Sequence, residues 1–289
     1  MNLTEKFLKI DRRWLFLFVA VGAFIPLIIP LNLPVSTSPP VEKVFNRIEN
    51  ELEPGNVIML SFDYGPSSGP ELDPMAVAIA RHCFLRKMKV IGVALFPLGG
   101  KEMGLATFDQ VSSEFDIVYD EDYVNIGYKD GALALMNRMG EDIKAAFPRD
   151  VLGNDIYTLE LMKDVKNYDQ IDLIISFSTG IIGEWYANLV NSKFDVPVAV
   201  GTTAVATPKY YAFYASGQMM GLLGGLKAAS EYEKLLRDNY PETRELSFYA
   251  TQGMDVQSVV HLIIVGFIIL GNIFFIIEKR QSRKELMES

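Results

Sequence analysis

Apolar positions along the chain fall into two patterns. Two long uncharged blocks, residues 14–33 (WLFLFVAVGAFIPLIIPLNL) and 256–277 (VQSVVHLIIVGFIILGNIFFII, uncharged but for the ring of His261), bracket everything else. Between them, short apolar runs at 57–62, 89–96, 171–178 and 196–201 each give way to turn residues and then to a stretch with helical spacing. Runs this short and this continuously apolar suit strands covered on both faces by helices. The spacing predicts helices over 41–52, 75–88, 104–115, 132–147, 183–190 and much of 210–237, with the glycine-rich GLLGGLK of 221–227 inside the last. Residues 116–119 and 123–126 read as short strand-like pieces, and 238–253 as a polar tail.

From the end of the first run at Phe62 to Val90 in the second there is room for a helical crossover, which favours parallel pairing. The expected fold is therefore α/β: one Rossmann-like, doubly wound domain with a mainly parallel sheet of four to six strands. An N-terminal and a C-terminal transmembrane helix flank it.

Each uncharged block is long enough to cross the roughly 30 Å hydrocarbon layer as a helix. Pro26 and Pro30 should loosen the second half of the first. The alternative of a cleaved signal peptide is disfavoured by the length of the segment and by the following VSTSPP, which has no good small-x-small cleavage site. Basic residues lie outside both blocks, with Lys6, Lys9, Arg12 and Arg13 before the first and Lys279, Arg280, Arg283 and Lys284 after the second. The positive-inside rule then gives a two-pass protein of the plasma or inner membrane with both termini cytoplasmic. The segments are a cytoplasmic N-terminus 1–13, span 14–33, linker 34–40, extracytoplasmic domain 41–255, span 256–277 and cytoplasmic tail 278–289. Inside the second span, His261 is expected to reach interfacial water and Asn272 to bond a neighbouring helix, while Gly266 and Gly271 leave room for close helix contact.

The formal charge of −9 is uneven: the two ends carry +3, leaving −12 to the segment between them. Such a surface repels phosphate backbones, so nucleic acid is not an expected partner. Cys83 is the only cysteine, which excludes an intrachain disulfide or a CxxC site. With His261 in a span, only His82 is left for catalysis, in a helix rather than at a loop edge, so Ser-His-Asp and Cys-His chemistry and multi-histidine zinc sites are disfavoured. His82 reads as a satisfied structural histidine. No GxGxxG follows the first strand and no GxxxxGK[ST] occurs. The glycines of 221–227 follow helix-like sequence and read as close helix packing. No cofactor and no metal site are expected, and the carboxylates Glu71, Asp73, Glu184 and the run Asp116, Asp120, Glu121, Asp122 read as solvated loop charge.

The candidate site lies where loops follow strands. Four such loops share one edge of a parallel sheet. They supply Asp63, Tyr64, Ser67, Ser68, Thr179, Gly180, Thr202 and Thr203 as a candidate ligand pocket, with ordinary turn chemistry as the simpler account of the same residue types. No catalytic residue is assigned. The sequence favours a membrane-anchored assembly module without catalysis. Its expected partners are the lipid bilayer, further copies of itself, or other membrane proteins. The alternative is a ligand-sensing or carboxylate-dependent enzymatic domain using that edge.

Overall fold

A computed structural model describes residues 11–288, with side chains through Arg280. Lys6, Lys9 and the side chains of Arg283 and Lys284, on which the orientation of the ends partly rests, lie outside the described residues. Two compact units are present, the terminal segments Met1–Pro34 with Gln252–Ser289, and the intervening Val35–Thr251.

In the terminal unit, α1 (Arg12–Ile28) is capped by Asp11, whose carboxylate accepts from the Arg13 N–H. It is shorter than the predicted span. Pro30 disfavours helical backbone at Ile29, which is extended (φ −125°, ψ 95°), and the helix stops there. The chain runs on without regular structure, and the N–H groups of Leu31, Asn32 and Leu33 converge on the buried carboxylate of Asp255 at 2.9–3.0 Å. That residue lies in α9 (Tyr249–Glu288), which includes one stretch, Tyr249–Arg280, long and apolar enough to cross a membrane. No second helix of that length and composition occurs among the described residues. The close-contact glycine is Gly22, where a Cβ would meet Ile263 at 2.2 Å, whereas Gly266 and Gly271 face open space. Asn272 donates to the Ile268 carbonyl of its own helix.

The other unit holds a six-stranded, all-parallel sheet: β1 (Val57–Asp63), β2 (Lys89–Ala94), β3 (Tyr123–Tyr128), β4 (Leu173–Ser178), β5 (Val198–Thr202) and β6 (Gly221–Gly224), in the order β3-β2-β1-β4-β5-β6. This is the classic doubly wound order, whose direction reverses between β1 and β4. Alternate residues of β1 go to opposite faces, Ile58, Leu60 and Phe62 to one core and Met59 to the other. The first core is covered by α2 (Pro39–Asn46), α3 (Gly69–Leu85), α4 (Gly100–Ser112) and α8 (Gly225–Asn239), and the second by α5 (Ala132–Glu141) and the irregular helix that α6 (Ile182–Trp185) begins. A further helix, α7 (Thr207–Ala215), leads from β5 toward the edge strand.

Three expectations change. Helix α3 starts at Gly69 and not at Met75, because Pro70 sits where a helix has no use for its N–H. The helix expected over 132–147 breaks at Asp142, whose side chain caps a new turn by accepting from Ala145 N. The glycine-rich 221–227 supplies β6 and the start of α8, not the middle of a helix. Gly221 is required there because a Cβ would lie 2.2 Å from Val44 and 3.2 Å from the Pro40 carbonyl, so only a bare backbone lets α2 close over the edge strand.

Candidate functional site

All eight candidate residues lie at the carboxyl edge of the sheet, but in two layers. Asp63, Tyr64 and Thr202 are buried; Ser68, Thr179, Gly180 and Thr203 are half-buried, and Ser67 is exposed. Parity explains Asp63: two residues beyond Ser61 and four beyond Met59, it points into the second core. There Oδ1 accepts from the Leu95 N–H at 2.9 Å and Oδ2 from Ser176 Oγ at 2.7 Å, tying β1 to the ends of β2 and β4. All its donors are neutral, so burial dominates and pushes the carboxyl up to about 6. Beside it, Tyr186 donates to Ser61 Oγ at 2.9 Å, and burial holds that phenol well above its ordinary range.

Tyr64 turns to the opposite core and donates to Asp73 Oδ1 at 2.7 Å. Thr202 Oγ1 donates to the Ser178 carbonyl at 2.7 Å, and Ser178 Oγ accepts from Gly183 N at 3.1 Å. The outer layer is braced across strands. Gly180 O accepts from Lys209 Nζ and Tyr210 Oη at 2.9 Å each, and Lys209 also pairs with Glu184. Glu71, at the first turn of α3, reaches Ala204 N beyond β5 at 2.8 Å. Thr203 O receives the N–H of Ala206 and of Thr207. The buried polar groups at this edge, with Glu71, Glu184 and Lys209, therefore bind the strand ends and loops to one another, while the hydroxyls of Ser67, Ser68, Thr179 and Thr203 make no hydrogen bond among the described residues. Among the described residues, no group of three or more His, Cys, Asp or Glu is arranged to hold a metal ion.

The outermost positions of the same edge are apolar. Leu98 follows β2 and is 73% exposed, Ile181 follows β4 at 50%, and Val205 follows β5 at 91%. Strands β2, β1, β4 and β5 are neighbours, so these three side chains span about three strand spacings, roughly 15 Å. Residue types alone gave no reason to single them out, since each is an ordinary aliphatic one in a turn.

A second polar cluster was not foreseen as a unit. His82, buried in α3, bonds Glu49 Oε2 through Nε2 at 2.9 Å and Tyr232 Oη through Nδ1 at 2.7 Å, and stacks on Phe45 with ring centroids 4.4 Å apart. Tyr240 also donates to Glu49 Oε2, at 2.5 Å. The His82 bond is the main reason that the Glu49 carboxyl is lowered to about 2, while burial lowers the His82 pKa. Glu49 lies in a π-helical turn, Arg47–Glu51, that continues α2. On α8, Glu231 accepts from Ser38 N and Oγ at the start of α2, and Glu233 accepts from Ala250 N, Thr251 N and Thr251 Oγ1 at the start of α9. One helix thus holds both the entry and the exit of the α/β unit.

No protein-family model matches the chain, and comparison with curated proteins finds no match.

Proposed function

We propose that this protein is an assembly module attached to a membrane by both terminal segments, with its α/β unit on the extracytoplasmic side docking a protein partner of the same membrane. The observation that carries the reading is the apolar rim of Leu98, Ile181 and Val205 at the edge where parallel α/β folds place their ligands. Exposed aliphatic side chains along one edge of a domain are a common mark of a protein contact. A carboxylate-dependent site at this edge needs a free carboxylate, and Asp63 lies behind the strand ends with internal hydrogen bonds, while Glu71 bonds Ala204 N and Glu184 pairs with Lys209.

Two anchors rather than one are supported by the terminal unit itself. Gly22 admits Ile263 at close range, Phe18 meets Phe267 edge-on at 6.3 Å between centroids, and three N–H groups after α1 close on Asp255. At 1.5 Å per residue the 17 residues of α1 reach about 25 Å, so the extended residues that follow complete a crossing. The uneven charge supports a cytoplasmic position for both ends.

The test is the mass of the full chain purified in mild detergent. An oligomer or a stoichiometric membrane-protein partner is expected, and Val205→Glu with Leu98→Glu should weaken that association at least tenfold, about 1.4 kcal/mol. A monomeric particle with no co-purifying protein overturns the reading.

A further inference from the structure

Beyond the carboxyl end of β3 lies a cavity of about 240 Å³, away from the eight candidate residues, walled by Lys101, Lys129, Arg149, Asp150, Phe147 and the backbone of 126–128 among others. Three cations meet there, in a chain whose segment between the basic ends carries −12. Elsewhere on the α/β unit five of the other ten lysines pair with carboxylates, as in Lys89 with Asp122, Lys209 with Glu184 and Lys234 with Asp238. None of Lys101, Lys129 and Arg149 has a carboxylate within ion-pair distance among the described residues.

The one acid in the wall does not neutralise them. Both oxygens of Asp150 are occupied by its own surroundings: Oδ1 accepts from Leu152 N and Asn154 N, and Oδ2 from Tyr119 Oη and Asn154 Nδ2. Two of the cations are positioned by neutral groups. Lys129 donates to the Ala146 carbonyl and sits 5.9 Å from the centre of the Phe147 ring, and Arg149 gives one N–H to the Gly153 carbonyl at 2.8 Å. Lys101, at the first turn of α4, has no hydrogen bond or ion pair among the described residues and is exposed. Three positive heads against one negative leave the wall with a surplus of two charges, which a doubly charged oxyanion would balance.

We infer that this cavity binds a small soluble phosphate monoester or orthophosphate itself. Its volume is below the roughly 300 Å³ at which pockets for drug-sized ligands begin, so a phosphoryl group with a short attached moiety is the size that fits. Arg149 supplies the planar fork that suits paired phosphate oxygens, and Lys129 and Lys101 supply point charges. The site does not depend on the apolar rim, and a monomeric protein would have it equally.

The test is thermal unfolding of the full chain in neutral detergent, with inorganic phosphate against sodium chloride at equal ionic strength. At about 10 mM phosphate, with millimolar affinity, the unfolding temperature should rise by about 3 °C more than in chloride. Lys101→Ala, which removes no internal bond, should at least halve that difference, and Arg149→Ala should do the same. Any general salting effect of phosphate would be unchanged by either substitution. Equal shifts in phosphate and chloride overturn the inference, as does a full phosphate shift retained by both variants.

Discussion

The two faces of the sheet handle buried polarity in opposite ways. On the face covered by α2, α3, α4 and α8 it is ionic: Arg81 is held by both oxygens of Glu114 at 2.6 Å and by the Ser247 carbonyl, and Glu49 is bonded by His82 with the Arg86 guanidinium nearby. On the face covered by α5 and α6, Asp63 meets only neutral donors and Ser61 meets Tyr186. Glu49, partly exposed and bonded by His82, falls to about 2, and Asp63, fully buried among neutral donors, rises to about 6, while burial also raises Glu233 on the ionic face. Burial and the bonding partner together set the protonation state. The ionic face also carries Glu231 and Glu233, which tie down the chain where it enters and leaves the unit. The hydrogen bonds that fix both chain ends of the α/β unit are thus on one side of its sheet.

The largest expected effect breaks the ionic face. Arg81 is 1% exposed, so Glu114→Ala leaves a buried guanidinium with the Ser247 carbonyl as its one remaining hydrogen-bond partner among the described residues. It should cost about 3–5 kcal/mol in denaturant unfolding. A loss under about 1 kcal/mol would mean that the stacking of Arg81 on Phe248, 5.5 Å from the ring centre, holds that helix instead.

The neutral face should answer with the opposite sign. Asp63 titrates at about 6 when folded against an ordinary 3.8, so the folded chain binds its proton more tightly. Its most favourable contribution is below pH 3.8, and stability is lost as pH rises through 6, by about 3 kcal/mol in all. Asp63→Asn keeps an acceptor for Leu95 and can donate to Ser176, so it should raise stability at pH 8 by up to about 3 kcal/mol and change little at pH 4. Destabilisation at pH 8 would show that the charge itself is needed there, and would return Asp63 to the list of functional groups.

Glu49 and His82 run the other way. The Glu49 carboxyl, lowered from 4.5 to about 2, contributes stability that is present above pH 4.5 and fades as pH falls toward 2. His82, lowered from 6.5 by burial, contributes stability that is complete above 6.5 and declines as the unfolded chain takes up its proton below that. Glu49→Gln should cost about 1–2 kcal/mol at pH 7, discounted for the solvent that reaches Glu49, and should flatten the acid limb of the stability profile between pH 4.5 and 2. An unchanged acid limb would place the sensitivity elsewhere.

These contrasts mark how far the sequence reaches. The central strands were legible because doubly covered strands are continuously apolar, and the edge that gathers the loops follows from parallel pairing. Strand β6 was not, since four residues bounded by glycines between helix formers carry no period, and the reason for Gly221 is Val44, far away in the chain. Within the candidate site, the position of Asp63 at a strand end was readable, but its inward direction depended on counting parity from Met59. The bonds of Glu231 to Ser38 join residues 193 apart, and nothing in the local sequence announces them.

The smallest effect sharpens the comparison most cleanly. Tyr186→Phe removes one hydroxyl from the neutral face and leaves Ser61, itself fully buried, without that partner. A neutral hydrogen bond is worth about 0.5–1.5 kcal/mol net, so the loss should fall in that range. Neither hydroxyl ionises between pH 4 and about 8, so the loss should be nearly independent of pH there unless the bond of Ser61 to Asp63 passes on the ionisation of that carboxyl near 6. A pH-dependent loss would mean that the hydroxyl acts on Asp63 and that the two polar pairs of this face are one network. A double substitution with Asp63→Asn measures that coupling directly, and a coupling above about 0.5 kcal/mol would show that this face, too, is held by charge.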